Sequence, residues 1–465
     1  YINTALILGS NSQNTISFVS TSGNAANVIL GNHQALGASA LVLDGASNLI
    51  FKDITIGLNS ENTGVAVEFL GMCENIEFNS CIIQTYDQAT SNTYCGVKYY
   101  NSSSSSNYLK NVKFVHNHID GGYYNFWFYY SAGTSSNMGN MSVIIDSNTL
   151  SNAYYAGFYT YYNGNYPSVS YNTITSRTNE NVGTDWYGIY TYYYTNIENI
   201  VGNKIQNINV RIAQPRGIYI HYYFNYTSYS GSGQGLIANN EILLYGANAT
   251  NTYQNFAGLY IYYPYSSTKI LHNSIYLYGA DPATLTGAAL YAYNTSTSYL
   301  LKIQNNVFST AIANNANTCL IPYYISSLTY ARPNYVNSDY NNYYNAYNQN
   351  VAYAGEEYTL VDLRAANMQD AHSVQYNPGF ANLPFSLMPT HWTICPKEDL
   401  VSFDMLGNAR VVLTYSGCYH ANYSSDAGIV EFMNIGEKNT AGLNPLDVRL
   451  VNYGSAVLNS VTIRA

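Results

Sequence analysis

Charge is what this sequence most lacks. Asp, Glu, Lys and Arg together make up 9% of its 465 residues, against roughly a quarter in soluble globular proteins. The net charge of -9 is thinly spread, with no basic stripe to follow phosphates, which argues against nucleic acid as a partner. Cysteine is sparse as well. Cys73, Cys81, Cys95, Cys319, Cys395 and Cys418 are scattered without a CxxC pair, so a zinc module is not expected. No apolar run is long enough to span a bilayer, and the chain opens at Tyr1-Ile2-Asn3-Thr4 without a charged and apolar leader. Any export signal is therefore expected to have been removed or never included.

Disorder does not follow from the missing charge. The chain is 47% hydrophobic and holds 53 tyrosines, whereas disordered chains lack the aromatics needed to offset chain entropy. Polar bulk comes from Asn, Ser, Thr and Gly. Together with sequons such as Asn225-Tyr226-Thr227, this composition suggests an extracytoplasmic protein, secreted or held at the cell surface.

Two motifs recur out of phase. The first reads Gly217-Ile218-Tyr219-Ile220-His221-Tyr222, with close copies at Gly157, Gly188 and Gly258 and weaker ones at Gly64, Gly96, Asn125 and Ala289. All the intervals between starts are similar except the longer one from Gly217 to Gly258. The second motif, Asn-x-aliphatic, starts at Asn117, Asn148, Asn172, Asn203, Asn240, Asn273 and Asn305, with Asn79 as a degenerate first member. It follows the first at a nearly constant half-repeat interval, apart from three coils that carry insertions. Ser102 to Ser106 and Tyr229-Ser230-Gly231-Ser232-Gly233 belong to those insertions.

Inside the first motif apolar residues recur at every second position, which marks a strand with one buried face. Ile218 and Ile220 should point inward, and Tyr219 and His221 outward. A third, less regular strand precedes each Asn motif, as at Leu236-Ile237-Ala238. Three short strands in roughly 30 residues predict an all-β, right-handed parallel β-helix of about ten coils. Leucine-rich repeats lack support because Leu-x-x-Leu-x-Leu is missing, and so short a repeat cannot supply the four strands of a propeller blade. The eight asparagines Asn79, Asn117, Asn148, Asn172, Asn203, Asn240, Asn273 and Asn305 should form a ladder at one turn. Asn tolerates left-handed backbone, and its amide can bond the next copy.

These coils, with Ser338-Asp339-Tyr340-Asn341-Asn342-Tyr343-Tyr344 after the last, resemble the pectate-lyase-like β-helix of large Bacteroidetes surface proteins exported by type IX secretion. The segments Asp370-Ala371-His372-Ser373, Asn377-Pro378-Gly379-Phe380 and Asp404-Met405-Leu406-Gly407-Asn408-Ala409-Arg410 are similar to the part that caps such a helix. Asp426 to Val430 and Asn444 to Gly454 look like the first strands of an immunoglobulin-like adhesion module. The resemblance implies coils over residues 1–345, a closing segment over 346–420 and a truncated module over 421–465, as a piece of a longer polypeptide. It implies little about activity, because this fold hosts lyases, hydrolases and adhesins alike.

Lyase chemistry requires clustered calcium ligands and a base, and hydrolase chemistry paired carboxylates. Glu68, Asp87, Asp120, Asp146, Asp185, Glu198, Glu241 and Asp281 fall in different phases of the repeat, and only Asp185 and Glu198 could meet across a coil. His116 and His118 would share a strand face, but no third ligand is evident, so no metal or cofactor is expected. Cys395 and Cys418 bracket the closing motif and are candidates for a disulfide in a secreted protein. Cys73, Cys81 and Cys95 read equally well as buried small hydrophobes.

The tyrosines are the strongest unusual feature. One column should run Ala66, Lys98, Trp127, Tyr159, Tyr190, Tyr219, Tyr260 and Tyr291. A second should run Glu68, Tyr100, Tyr129, Tyr161, Tyr192, His221, Tyr262 and Tyr293. With coils rising about 4.8 Å, neighbouring rings can stack. The expectation is a pair of partly exposed columns that stabilise the outer face and serve as a platform for sugar rings or another surface. The sequence therefore suggests a non-catalytic structural or adhesive module with glycans or cell-surface molecules as contacts. A polysaccharide lyase or glycoside hydrolase is the alternative.

Overall fold

The computed structural model describes residues 14–31, 36–224, 234–246, 255–264, 266–279, 286–312, 319–421, 427–432, 447–452, 457 and 459–461. The sequon at Asn225, the insertion from Tyr229 to Gly233, and Asp281 lie outside them, as does most of the chain from 422 on.

The coils wind into a right-handed parallel β-solenoid with three long sheets. Sheet 1 runs from Ile16–Val19 to Val336–Asp339, and sheet 2 from Ile29–Leu30 to Asn342–Asn345. Sheet 3 runs from Ala38–Asp44 to Asn350–Tyr353, where an antiparallel strand, Glu357–Thr359, ends it. Each sheet stacks eleven parallel strands, one per coil. Every inward residue meets its own equivalents above and below. In sheet 2 the inward column runs Ile83, Ile119, Leu150, Ile174, Ile205, Ile242, Ile275 and Phe308. In sheet 1, Phe18, Phe51, Phe78 and Phe114 stack with ring centroids 4.8 to 5.0 Å apart. Ile218 and Ile220 are fully buried, as alternation requires. Cys73, Cys81 and Cys95 are buried too, and burial pushes the Cys81 thiol up to about 11.

The two motifs lock together. A Cβ on Gly188 would lie 2.4 Å from Ile205 Cγ2, and one on Gly258 would lie 2.2 Å from Ile275 Cγ2. The glycine that opens the sheet 3 motif thus leaves room for the isoleucine that closes the sheet 2 motif.

The asparagine ladder lies at the turn from sheet 1 to sheet 2. Asn117, Asn148, Asn172, Asn203, Asn240 and Asn273 belong to it and are buried. In each coil the side-chain amide donates to Oδ1 of the next asparagine, and also to a sheet 1 carbonyl of the coil before. For Asn203 these bonds are 3.0 Å to Asn240 and 2.9 Å to Val169. The Asn203 backbone N–H also donates to Asn240 Oδ1, at 2.9 Å. Asn79 and Asn305 are not rungs. Cys81 stands level with Asn117 and donates its backbone N–H to that side chain, while Asn306 and Asn341 continue the ladder downward. The sheet pairing aligns Ile275 with Phe308, which sets the last motif one residue later than Asn305-Asn306-Val307 suggests. Nor do the rungs carry the left-handed backbone. The residue before each does, including Ser147 at φ 60°, Tyr171 at 58°, His272 at 54° and Asn305 at 62°.

The closing segment does two jobs. The helix Leu360–Asn367, capped by Thr359, leads to Asp370 and Ser373 at the end of the stack. Ser373 Oγ accepts the Asn341 N–H at 3.0 Å, in the place of a further rung, and donates to the buried Asp370 at 2.8 Å. Residues 377–420 then run back along the turn between sheets 1 and 2. They are held by the side chains that precede the rungs. Asn239 donates to Phe403 O at 2.6 Å, His272 Nδ1 to Tyr415 O at 3.2 Å, and Asn305 to Pro396 O at 2.7 Å. Arg410, buried, donates to Asn239 Oδ1 at 2.9 Å and to Gly417 O at 2.9 Å. Cys395 and Cys418 are free buried thiols rather than a disulfide. Cys395 sits in the short strand Ile394–Pro396 opposite Thr414, and the Cys418 N–H is held by Ser274. Beyond residue 421 the described residues form one antiparallel ribbon, Ala427–Phe432 with Val448–Asn452.

Candidate functional site

The outer face of sheet 3 is where the unusual composition collects. Its middle column runs Glu68, Lys98, Trp127, Tyr159, Tyr190, Tyr219, Tyr260, Tyr291, Tyr324 and Tyr353. Glu68, not Ala66, is level with Lys98, because the first motif is set two residues later than its glycine suggests; Ala66 is buried. Lys98 sits 3.2 Å from Glu68 and 5.6 Å from the Trp127 ring centroid. The outer column, nearer the turn to sheet 1, stacks Tyr100, Tyr129, Tyr161, Tyr192, His221, Tyr262 and Tyr293. Their six consecutive contacts are 4.6 to 5.2 Å between centroids, with planes within 18° of parallel.

The two columns differ in exposure. Tyr219, Tyr260 and Tyr291 keep 9%, 1% and 3% of their surface, so the expected platform of partly exposed rings fails in its middle. Their ring faces are covered by one another, with centroids at 4.1 and 4.5 Å. On one flank they meet the outer column. On the other they meet a third outward column that includes Tyr124, Tyr187 and Arg216. Arg216 is buried between the Tyr187 and Tyr219 rings, 4.7 and 5.5 Å from their centroids, and pairs with Asp185 at 2.6 Å. Trp127, Tyr159, Tyr190, Tyr161, Tyr192, Tyr262 and Tyr293 are half-buried, and Tyr100 is 54% exposed.

Sequence reasoning missed a further set of rings. The tyrosine following each outer-column residue should point inward by alternation. Instead Tyr130, Tyr162, Tyr193 and Tyr263 adopt φ of 47°, 57°, 48° and 51°, a left-handed turn that swings the ring outward. They stand nearly perpendicular to the outer column, at 74° for Tyr161–Tyr162 and 85° for Tyr192–Tyr193. Tyr130, Tyr162 and Tyr193 stack on one another at 4.9 Å. The result is an aromatic corner along the edge of sheet 3. The doubled tyrosines Tyr129-Tyr130, Tyr161-Tyr162 and Tyr192-Tyr193 were the available signal. Desolvation, with the neighbouring phenols, pushes the Tyr161 hydroxyl up to about 12 and keeps it a neutral donor.

Of the acids named from the sequence, Glu68, Asp120, Asp146, Asp185 and Glu241 are each engaged separately. Ser151 and Asn152 donate to Asp120 at 2.5 and 2.7 Å, and Ser168 donates to Asp146 at 2.7 Å. Glu241, buried in sheet 2, lies 3.2 Å from Lys204 and accepts from Tyr419 and from the Leu387 N–H. Asp185 and Glu198 stand on different sheets, in Asp185–Tyr192 and Thr195–Val201. His116 occupies the left-handed turn and His118 the following strand, so they do not share a strand face. Among the described residues no three His, Cys, Asp or Glu side chains are grouped to hold a metal. No family model, curated protein or solved structure matches the chain.

Proposed function

We propose that this β-solenoid is a non-catalytic structural or adhesive module that contacts glycans through the aromatic corner of sheet 3. The observation that carries the reading is the run of outer-column rings, stacked over seven coils and left half-exposed beside a perpendicular row of turn tyrosines. Half-exposed ring edges carrying neutral hydroxyls suit the C–H groups and hydroxyl rim of a sugar ring, and contiguous exposed aromatic patches mark contact sites. A secreted or cell-surface setting, export by a type IX route from a Bacteroidetes cell, and an immunoglobulin-like continuation after residue 421 belong to the same reading. They are supported by the resemblance of the closing segments and by the antiparallel ribbon.

A glycan array probed with the purified chain, run beside assays for release of reducing or unsaturated ends from the same polymers, tests this. Binding without turnover is expected, and it should fall at least tenfold when Tyr161, Tyr192 and Tyr262 are changed together to Ser. Turnover of any polymer would overturn the non-catalytic reading. Unaltered binding by the triple variant would reduce the corner to a stabilising role.

A further inference from the structure

One part of the corner encloses space. Tyr130, Tyr162 and Tyr194 line a cleft of about 530 Å³ together with Ser103, Thr134 and Ser135, which come from the loop after Tyr100 and from the 3-10 turn Ser135–Asn137. The buried Asn163 also lines it and is held by its own bond to Gly133 O, at 2.7 Å. We propose that this cleft is a subsite for an uncharged saccharide, packed against the ring edges of Tyr130 and Tyr162 and hydrogen-bonded by the surrounding hydroxyls. The assignment rests on the reading of the aromatic corner as a glycan contact, and narrows it to one place and one chemical class.

Three observations carry it. The rings form a fixed wall: Tyr130 and Tyr162 are parallel within 8° at 4.9 Å, and Tyr194 lies 5.8 Å from Tyr162. A rigid aromatic wall orders few groups on binding, which lowers its entropic cost. The backbone is held in an unfavourable region at this spot. Tyr162 and Asn163 are consecutive left-handed residues at φ 57° and 52°, as are Tyr193 and Tyr194 at 48° and 44°. Strain of this kind persists where the surroundings over-determine it and gathers at ligand sites. Finally, none of the residues lining the cleft carries a charge. A uronate polymer would need a cation or a bound metal to offset its carboxylates, whereas a neutral hexose or pentose chain needs only hydroxyl and phenol partners.

Titrating the whole chain by calorimetry with cellohexaose, xylohexaose, hexagalacturonate and decaproline separates the possibilities. At least one neutral hexasaccharide should bind. Ser135→Trp, which fills the cleft and leaves every tyrosine in place, should weaken that binding tenfold or more while leaving the melting temperature unchanged, and Tyr162→Ala should weaken it as much with a small fall in melting temperature. Hexagalacturonate or decaproline binding as well as the neutral chains would overturn the chemical class. If Ser135→Trp binds normally but the Tyr161, Tyr192 and Tyr262 triple variant does not, the cleft assignment fails and the broader glycan reading stands. If no saccharide on the array binds the wild-type chain, both fail together.

Discussion

Two turns of this solenoid are built on the same left-handed backbone and put it to opposite uses. Between sheets 1 and 2, the left-handed residue varies among Ser147, Tyr171, Gly202, Asn239, His272 and Asn305, while the next residue is a buried asparagine in eight coils. At the edge of sheet 3 the left-handed residue is itself the repeated one, a tyrosine at 130, 162, 193 and 263. The difference is one of satisfaction. A rung asparagine makes its bonds to the coils on both sides, so a change in one coil orphans groups in two others. A turn tyrosine presents a ring outward and meets mainly other rings, with hydroxyl contacts such as Tyr263 to Tyr293 at 3.3 Å. The first turn holds the coils together, and the second is free to serve a surface.

The largest test of that contrast is Asn240→Ala. It removes the bonds from Asn203 and to Asn273 and strands a buried carbonyl, Ile200 O. A loss of about 2–3 kcal/mol is expected in urea unfolding. Tyr193→Ala, beside the same coils, should lose about 1 kcal/mol or less, the scale of an aromatic stacking pair. Equal losses would end the distinction.

Acid should then act on the two regions through different histidines. Burial, then the Arg410 charge, holds His272 well below its ordinary value. Its geometry agrees, since Nδ1 already donates to Tyr415 O and Nε2 faces the Asn305 amide at 3.0 Å. Desolvation pulls His221 down to about 4 between the Tyr192 and Tyr262 rings. Both folded values lie below the unfolded one near 6.5, so their stabilisation is present above pH 6.5 and is lost as pH falls below it. Between pH 7 and 5 the wild type should lose on the order of 1–2 kcal/mol through His221, after a discount for its partial exposure. His221→Phe should flatten that part of the slope and leave the His272 part, which loosens the segment 377–420. An unchanged pH profile in His221→Phe would remove the outer-column share.

The smallest effect expected is a gain. Ser147 sits at φ 60° before the rung Asn148, and Ser147→Gly removes a left-handed side-chain cost of about 1 kcal/mol against some loss of chain entropy. A net rise of about 0.5 kcal/mol in unfolding free energy is expected from these two opposed terms. A fall would mean that the Ser147 side chain contributes to the turn.

Much of this was legible in residue spacing. Ile218, Ile220 and Ile205 point inward because a period of two leaves a strand no other way to bury them, and stacking repeats the choice in every coil. Six of the rungs follow from the same regularity. Asn305 misled because Asn305-Asn306-Val307 fits Asn-x-aliphatic, whereas the register selected by pairing of Phe308 with Ile275 ends on an aromatic residue. Tyr162 was hidden for another reason. Alternation ends where the strand ends, and nothing local says that the left-handed turn begins at Tyr162 rather than one residue later.

The sequence by itself determined the coil, because hydrophobic alternation and a short repeat are local signals copied many times along the chain. Tertiary structure alone decided which rings reach solvent. Tyr260 and Tyr262 are both outward residues of one strand, yet Tyr260 is closed in by columns on either side and Tyr262 is half-exposed at the edge. Burial on an outer face depends on what stands beside a residue in space. In a solenoid those neighbours lie a whole coil away along the chain, and for the segment that runs back from 377 to 420 they lie several coils away.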